Sequence, residues 1–160
     1  WRLRADWAAE AGADPERAAL DEHLAACAEP VLPPDLAAAG VDAIVGPVVL
    51  QVGKTKNLSA PTDNQRSGHA PRMLKVQLTD GHTKCFGVEL DPPIKGLSLD
   101  TPPGTKVLLD QPTIAVRGEF IVLPTTVRVL GGRVPGLYDR WALQRELGDA
   151  QAPRPSGAND

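Results

Sequence analysis

Residues 74–90 have the sequence LKVQLTDGHTKCFGVEL, and their pattern decides the fold class. Leu74, Val76 and Leu78 alternate with polar residues, as in a strand with one buried face and one solvated face. Asp80-Gly81 follows, and this dipeptide favours a tight hairpin turn. The chain then returns as a second, largely apolar strand. The stretch therefore predicts an antiparallel β-hairpin.

Further strands are predicted on both sides of this hairpin. Residues 48–52 form a strand before it, and residues 106–109 and 120–123 form strands after it. Ile114 and Val116 extend the strand at 106–109 or start its continuation. Turns rich in Pro and Gly separate the strands, and no long helix intervenes. The pattern predicts a mainly β fold with a five-stranded Greek-key barrel.

The two ends of the chain differ from this central part. Residues 1–45 are rich in Ala and predict a small helical domain, in which Asp14-Pro15-Glu16 is a helix start. Residues 46–148 are expected to hold the barrel together with a C-terminal helix that closes it. The Pro, Gly and Ser of residues 149–160 predict a disordered tail.

Charge and composition limit the classes of function. The net charge is −3 for 160 residues, but residues 1–45 carry −6 and residues 46–150 carry +3. This basic excess is far below that of a dedicated nucleic-acid-binding domain. No run approaches the roughly 20 apolar residues that span a bilayer. Two cysteines give no disulfide framework, so a reduced intracellular protein is expected.

No residue pattern points to catalysis or metal binding. His23 with Cys27, and His82 with Cys85, are close in sequence, but neither pair supplies the four ligands of a structural zinc site. Asp80 beside His82 is explained by the turn that Asp-Gly forms. We therefore predict no catalytic residue, no metal ligand, no cofactor and no small-molecule substrate.

A direct single-stranded nucleic-acid-binding module is the alternative function, since small barrels of this type often bind single strands. Such binding requires aromatic side chains on which bases stack. The barrel offers Phe86 and Phe120, which lie in apolar strands and are expected in the core. Weak nucleic-acid contacts are expected at most from Lys54, Lys56, Lys75 and Lys84.

A polar segment lies between the strand at 48–52 and the hairpin. It is much longer than the usual hairpin loop of about 2–5 residues. Pro61 and Pro71 restrict its backbone at both ends. Loops on rigid scaffolds commonly carry function, and a tolerated surface insertion is the other interpretation.

Three motifs in a fixed order resemble a known family. They are APRML leading into LTDGH within residues 70–82, TPPGTK at 101–106 and VLGGRV at 129–134. With WALQR at 141–145, they resemble the N-terminal helical plus OB-fold region of the Tudor domain-containing protein 3 family. The OB-fold of RecQ-mediated genome instability protein 1 is similar but more distant. The short polar loop favours the Tudor family, and the resemblance covers about residues 46–147.

The resemblance implies a non-enzymatic scaffold or cofactor of a type IA topoisomerase, topoisomerase III, with the beta enzyme favoured over the alpha enzyme. It implies a role in genome stability in the nucleus, the cytoplasm or both, without membrane association. Nucleic acid is then reached mainly through the topoisomerase, and the loop between the first two strands modulates strand passage. The partner-binding loop implied by the family consists of Pro61, Thr62, Asp63, Asn64, Gln65, Arg66, Ser67, Pro71, Arg72 and Met73.

Overall fold

A computed structural model describes residues 1–59, 72–90, 93–124 and 126–151. Within these residues, eight strands form one sheet. The strands are β1 (Ala43–Val45), β2 (Val48–Asn57), β3 (Leu74–Thr79), β4 (Lys84–Glu89), β5 (Lys106–Leu109), β6 (Thr113–Arg117), β7 (Phe120–Leu123) and β8 (Arg128–Gly131). Their order across the sheet is β1-β6-β7-β4-β3-β2-β5-β8.

The prediction of five strands is wrong in number, and β1, β6 and β8 make up the difference. Gly46-Pro47 separates β1 from β2, and residues 110–112 separate β5 from β6. Pro47 and Pro112 have no N–H group to donate to a strand ladder. The N–H of Gly46 donates to the carbonyl oxygen of Pro112 at 3.0 Å and keeps the interrupted segments side by side. β1 was thus missed, because it lies within residues 1–45, which were predicted to be helical. β6 is the separate continuation of the strand predicted at 106–109, and β8 is a strand of its own.

The sheet closes on itself as a barrel. β1 pairs with β6 and β2 pairs with both β3 and β5, so the path from β1 through β6, β7, β4 and β3 returns to the same stretch of chain. β4 and β7 pair in parallel, and the other described pairs are antiparallel, as in a Greek key. The barrel core, with side chains at most 1% exposed, includes Leu50, Val52, Leu74, Val76, Leu78, Leu109, Ile114 and Ile121.

Helices flank the barrel on both sides in sequence. Four short helices precede it, namely α1 (Ala5–Glu10), α2 (Pro15–Ala19), α3 (Leu24–Cys27) and α4 (Leu36–Ala39). The side chain of Asp14 accepts a hydrogen bond from the N–H of Arg17 at 3.2 Å, as the sequence predicts for a helix start. The C-terminal helix α5 (Pro135–Gln151) was also expected. Of the predicted tail, residues 152–160 lie outside the described residues.

The helical segment has a small core of its own but also contributes to the barrel. Ala19, Leu24 and Cys27 are buried together, with Trp7 packed against them. Leu36, by contrast, belongs to the barrel core. The small helical domain predicted before the barrel is therefore supported in part. In the described residues, no helix combines the length and apolarity that crossing a membrane requires.

The carboxylate of Asp80 joins the helical segment to the hairpin between β3 and β4. Asp80 is 1% exposed and accepts four backbone hydrogen bonds. The donors are the N–H groups of Val31 at 2.9 Å, Leu32 at 2.9 Å, His82 at 2.8 Å and Thr83 at 2.7 Å. Burial alone would raise the pKa of Asp80, but these four donors outweigh it and hold the pKa below its ordinary value. The turn residue predicted from Asp-Gly is thus also a tertiary anchor.

We expect Asp80→Asn to lower the free energy of unfolding by about 2 kcal/mol or more near neutral pH, because an amide replaces a charged acceptor of four hydrogen bonds. Because the folded-state pKa is lowered, the stabilisation by Asp80 is present at neutral pH and is lost as pH falls through the carboxyl range. The variant should therefore lose less stability on acidification than the wild type does. Urea unfolding across the acidic range measures both effects.

Asp110→Asn is the matched control for this substitution. Asp110 forms a more exposed ion pair with Arg128 at 2.7 Å, and such pairs contribute at most about 1 kcal/mol. Equal destabilisation by the two substitutions would contradict the anchoring role of Asp80.

Candidate partner interface

The two ends of the predicted partner loop are held side by side on the rim of the barrel. The N–H of Leu58 donates to the carbonyl oxygen of Met73 at 2.8 Å. The side-chain oxygen Oδ1 of Asn57 accepts from the N–H groups of Met73 at 3.0 Å and Ser59 at 3.1 Å. The chain therefore leaves β2 and enters β3 at adjacent points. The loop residues predicted from Pro61 to Ser67, and Pro71, lie outside the described residues.

Arg72 anchors the point at which the chain returns to the barrel. Its Nε and Nη2 donate to the two oxygens of Glu89 at 2.6 and 3.0 Å. Nη2 also donates to the carbonyl oxygens of Ile94, at 3.2 Å, and Leu97. A bidentate arginine–carboxylate pair is among the most directional polar contacts in proteins. The guanidinium therefore makes its hydrogen bonds within the protein. A contact of Arg72 with a partner stays a prediction.

Glu89 is a buried carboxylate, and both of its oxygens accept hydrogen bonds. The residue is 1% exposed, although it lies at the end of β4. Besides Arg72, the N–H groups of Leu74 at 3.2 Å and Ile94 at 3.1 Å donate to it. Because a buried charge is costly unless it is paired and hydrogen-bonded, these contacts hold three segments in one arrangement. They are the end of the loop, the start of β3 and the connection after β4.

Apolar side chains surround this rim. Met73 was predicted as a partner-binding residue and is 37% exposed. Leu58, which is hydrogen-bonded to it across the rim, is 45% exposed, and Leu90, directly after Glu89, is 51% exposed. Single exposed apolar residues are ordinary, but a group of them at one place on a surface is typical of an interaction site.

The outer face of the sheet continues this apolar surface. Phe86 lies opposite Phe120, and Val88 lies opposite Val122, across the β4–β7 pair. All four side chains are half-buried. Lys75 on β3 lies opposite Val88. With Met73 and Leu90, which follow the same two-residue alternation, these residues form a continuous surface that we call the outer patch: Met73, Lys75, Phe86, Val88, Leu90, Phe120 and Val122.

The expectation that Phe86 and Phe120 belong to the core is wrong. Their ring centroids are 6.0 Å apart, and Nζ of Lys75 lies 4.0 Å from the ring centroid of Phe86 and 5.5 Å from that of Phe120. The alternation within β4 indicates the outer position of Phe86. Cys85 and Gly87 are buried, so Phe86, which lies between them, faces the other side of the sheet. The apolar character of both rings favoured the core interpretation over this periodicity.

The four lysines expected to give weak nucleic-acid contacts do not form one surface. Lys54 and Lys84 line a cleft between α5 and the strands β2, β3 and β4. Lys56 is exposed on β2 and does not line that cleft. Lys75 lies over the ring of Phe86 in the outer patch. The structure therefore brings the four predicted residues together as two pairs, with Lys54 and Lys84 in the cleft and Lys56 opposite Lys75 on the neighbouring strand.

Two residues of this cleft, Arg140 and Trp141, were not identified from the sequence as functional. Both lie on α5, which the sequence analysis assigned to closing the barrel. Gln144 also lines the cleft and lies four residues after Arg140, so the two occupy one face of the helix. The four-residue spacing of Arg140 and Gln144 can be read from the sequence. The sequence does not show which strands this face of the helix packs against.

The cysteine and histidine pairs show no metal-binding arrangement. Burial raises the pKa of Cys85 to about 12 and raises that of Cys27, so both thiols are protonated at neutral pH. Burial, together with the charges of Lys106 and Lys84, lowers the pKa of His23. The described residues contain no group of three or more His, Cys, Asp and Glu side chains placed to hold a metal ion.

We expect Arg72→Ala to lower the free energy of unfolding by about 3 kcal/mol or more, because it leaves the buried carboxylate of Glu89 without its cation. The double variant Arg72→Ala with Glu89→Gln should recover part of this loss, since it removes the unpaired charge. Urea unfolding of the single and double variants measures the coupling. Arg128→Ala, which breaks an exposed pair, is the control at about 1 kcal/mol or less. A loss in Arg72→Ala no larger than in the control would refute the anchor.

Comparison with known proteins supports the resemblance seen in the sequence. A family model described as RMI1, N-terminal OB-fold domain, matches residues 62–145. Tudor domain-containing protein 3 of Xenopus tropicalis is 47% identical over 130 residues, which cover 81% of this chain and 18% of that protein. The Danio rerio protein of the same name is 40% identical over 129 residues, with the same coverage of 81% and 18%.

A second group of relatives matches less closely. RecQ-mediated genome instability protein 1 of Oryza sativa subsp. japonica is 38% identical over 116 residues, which cover 71% of this chain and 14% of that protein. The chain thus spans less than a fifth of the length of these relatives. The barrel, its C-terminal helix and the matched residues together confirm the resemblance to both groups, and the chain belongs to the RMI1 N-terminal OB-fold domain family.

Proposed function

We propose that this chain is a non-enzymatic scaffold that binds a topoisomerase III, with the beta enzyme favoured over the alpha enzyme. The outer patch is the observation that carries the proposal. It offers apolar and aromatic side chains on rigid strands, and such side chains supply most of the binding energy at protein interfaces. Membership of the RMI1 N-terminal OB-fold domain family points to the class of partner.

The position of the patch also suits a role for the loop. Met73 belongs to the patch and directly follows Arg72, which the Glu89 carboxylate holds in place. A partner docked on the patch would therefore meet the chain where residues 60–71 begin and end. We propose that these residues extend the contact to the topoisomerase and modulate strand passage. In that role, the loop acts on a partner and is more than a connection between two strands.

The direct nucleic-acid module is less well supported as the main function of this face. Met73, Val88, Leu90 and Val122 make up the rest of the outer patch beside Lys75, and these side chains offer nothing to a phosphate or a base edge. On the other side, Phe86 lies opposite Gln77, which lines the neighbouring cleft. The composition of the outer patch therefore favours a protein surface.

We expect Val122→Glu to weaken binding of purified topoisomerase III beta by at least about tenfold, because it places a charge in the centre of an apolar contact. Val45→Glu is the matched control. Val45 is 84% exposed on β1 and lies outside the outer patch, so the same substitution should leave affinity unchanged. Affinities are measured by titration for the beta and alpha enzymes, with thermal unfolding to confirm that both variants fold. Equal affinities of the two variants would overturn the assignment of the patch.

We expect replacement of residues 62–68 by a two-residue turn to separate binding from activity. Docking on the outer patch does not require these residues, so topoisomerase III beta should still bind the variant. The effect of the chain on strand passage should be lost, as measured by decatenation in the presence of wild-type or shortened chain. An unchanged effect on decatenation would show that the loop is only a tolerated insertion.

A further inference from the structure

The cleft between the barrel and α5 has a composition unlike that of the outer patch. Its volume is about 400 Å³, within the range of ligand-binding clefts. It shares none of its lining residues with the outer patch and lies toward the turn end of the β3–β4 hairpin. The polar and aromatic side chains that line it include Lys54, Gln77, Lys84, Arg140, Trp141 and Gln144.

The charge in this cleft is of one sign. Lys54, Lys84 and Arg140 line it, and no Asp or Glu is among the described residues around it. None of the three cations has a carboxylate at ion-pair distance within the described part of the chain. The net charge of the protein is −3, so a cluster of three cations without a neutralising carboxylate makes this cleft locally positive on a protein that is negative overall.

The floor of the cleft is shaped by a β-bulge. Val52 pairs with Leu78 and Thr55 with Val76, so two residues of β2 lie opposite Gln77 of β3. One of them is Gly53, where an added Cβ would lie 2.7 Å from Oε1 of Gln77. The other is Lys54. Bulges are common beside functional sites, where they redirect a side chain.

An aromatic side chain completes the site. Trp141 is half-buried and lines the same cleft as the three cations. The guanidinium of Arg145 lies 4.7 Å from its ring centroid and the Tyr138 ring lies 5.7 Å away, so a base would stack on the part of the indole that these two side chains leave uncovered. Indole rings are surfaces on which nucleobases stack, and amide side chains such as Gln77 and Gln144 can hydrogen-bond base edges. The C-terminal helix therefore supplies an indole to this cleft, in addition to the two phenylalanine rings that the strands carry in the outer patch.

We propose that this cleft binds single-stranded nucleic acid, with Lys54, Lys84 and Arg140 on the phosphates and a base stacked on Trp141. An acidic peptide would use the same three cations but would gain nothing from the indole and the amides. The site requires no topoisomerase, so it goes beyond the scaffold function. It would place a single strand on the face of the barrel next to the docked enzyme.

The electrostatic part of the proposal is tested with a fluorescent oligothymidylate of about 12 nucleotides, titrated with the full chain at several salt concentrations. Three phosphate contacts predict a slope of log K against log salt of about −2, since each contact on a single strand contributes about −0.7. Each of the three variants Lys54→Gln, Lys84→Gln and Arg140→Gln should reduce the magnitude of this slope by about 0.7. Lys95→Gln is the matched control and should leave affinity and slope unchanged, because Lys95 is exposed and does not line the cleft.

The stacking part is tested with Trp141→Leu and with an abasic oligonucleotide of equal length. Loss of the indole should weaken binding of the oligothymidylate by about 5- to 100-fold and should hardly affect binding of the abasic strand. Thermal unfolding shows whether the leucine variant is folded. If it is not, the comparison of normal and abasic strands on the wild type takes its place, with the same expected difference.

Several results would overturn the proposal. Absence of oligothymidylate binding at low salt would do so, as would an equal effect of Lys95→Gln and Lys54→Gln. Equal affinity for the abasic strand, or for an oligo-aspartate peptide of the same charge, would show a site for polyanions only. Topoisomerase binding by the Lys54→Gln variant is measured in parallel, so failure of the cleft is distinguished from failure of the scaffold function.

Discussion

A buried carboxylate must be hydrogen-bonded or paired with a cation, and the β3–β4 hairpin carries one such group at each end. At the turn, Asp80 accepts four backbone hydrogen bonds and ties the N-terminal helical segment to the barrel. At the open end, Glu89 binds Arg72 and ties down the end of the loop and the connection after β4. Because leaving either charge unpaired is costly, the hairpin adopts one arrangement with respect to its neighbours. The rest of the structure depends on this constraint.

The two proposed surfaces lie along the hairpin between these anchors. The outer patch extends from the Glu89 end, and the cleft opens toward the Asp80 end beside α5. One surface is apolar and aromatic, and the other is cationic with a single indole. A rigid support lowers the entropy cost of binding at both, since the strands are already ordered. The same hairpin can therefore present a protein partner and a nucleic-acid strand in a defined relation.

The sequence predicted the hairpin, the mainly β fold and the C-terminal helix because these depend on local patterns. It left open whether Ile114 and Val116 extend the strand at 106–109, where the ladder is interrupted before Pro112. It also missed β1, because the Ala-rich composition of residues 1–45 predicted helices there. The role of Asp80 in the turn was also local and therefore predictable. Its bonds to the helical segment join residues 48 and 49 positions apart, and no periodic pattern reveals them.

The candidate site was harder to predict than the fold. Glu89 faces inward and Phe86 faces outward, the opposite of what their polarity suggests. The inward position of Glu89 is possible because Arg72, 17 residues earlier, neutralises it. The cleft combines residues of β2, β3, β4 and α5, so its charge cluster appears only when the chain is folded.

Hydroxyl-radical footprinting of the chain, alone and with topoisomerase III beta, tests the central claim most directly. Met73, Phe86 and Phe120 report on the outer patch, and Trp141 reports on the cleft within the same sample. We expect oxidation of the first three side chains to fall when the enzyme is added, while that of Trp141 stays the same. Unchanged oxidation of Met73, Phe86 and Phe120 in the presence of bound enzyme would contradict this expectation.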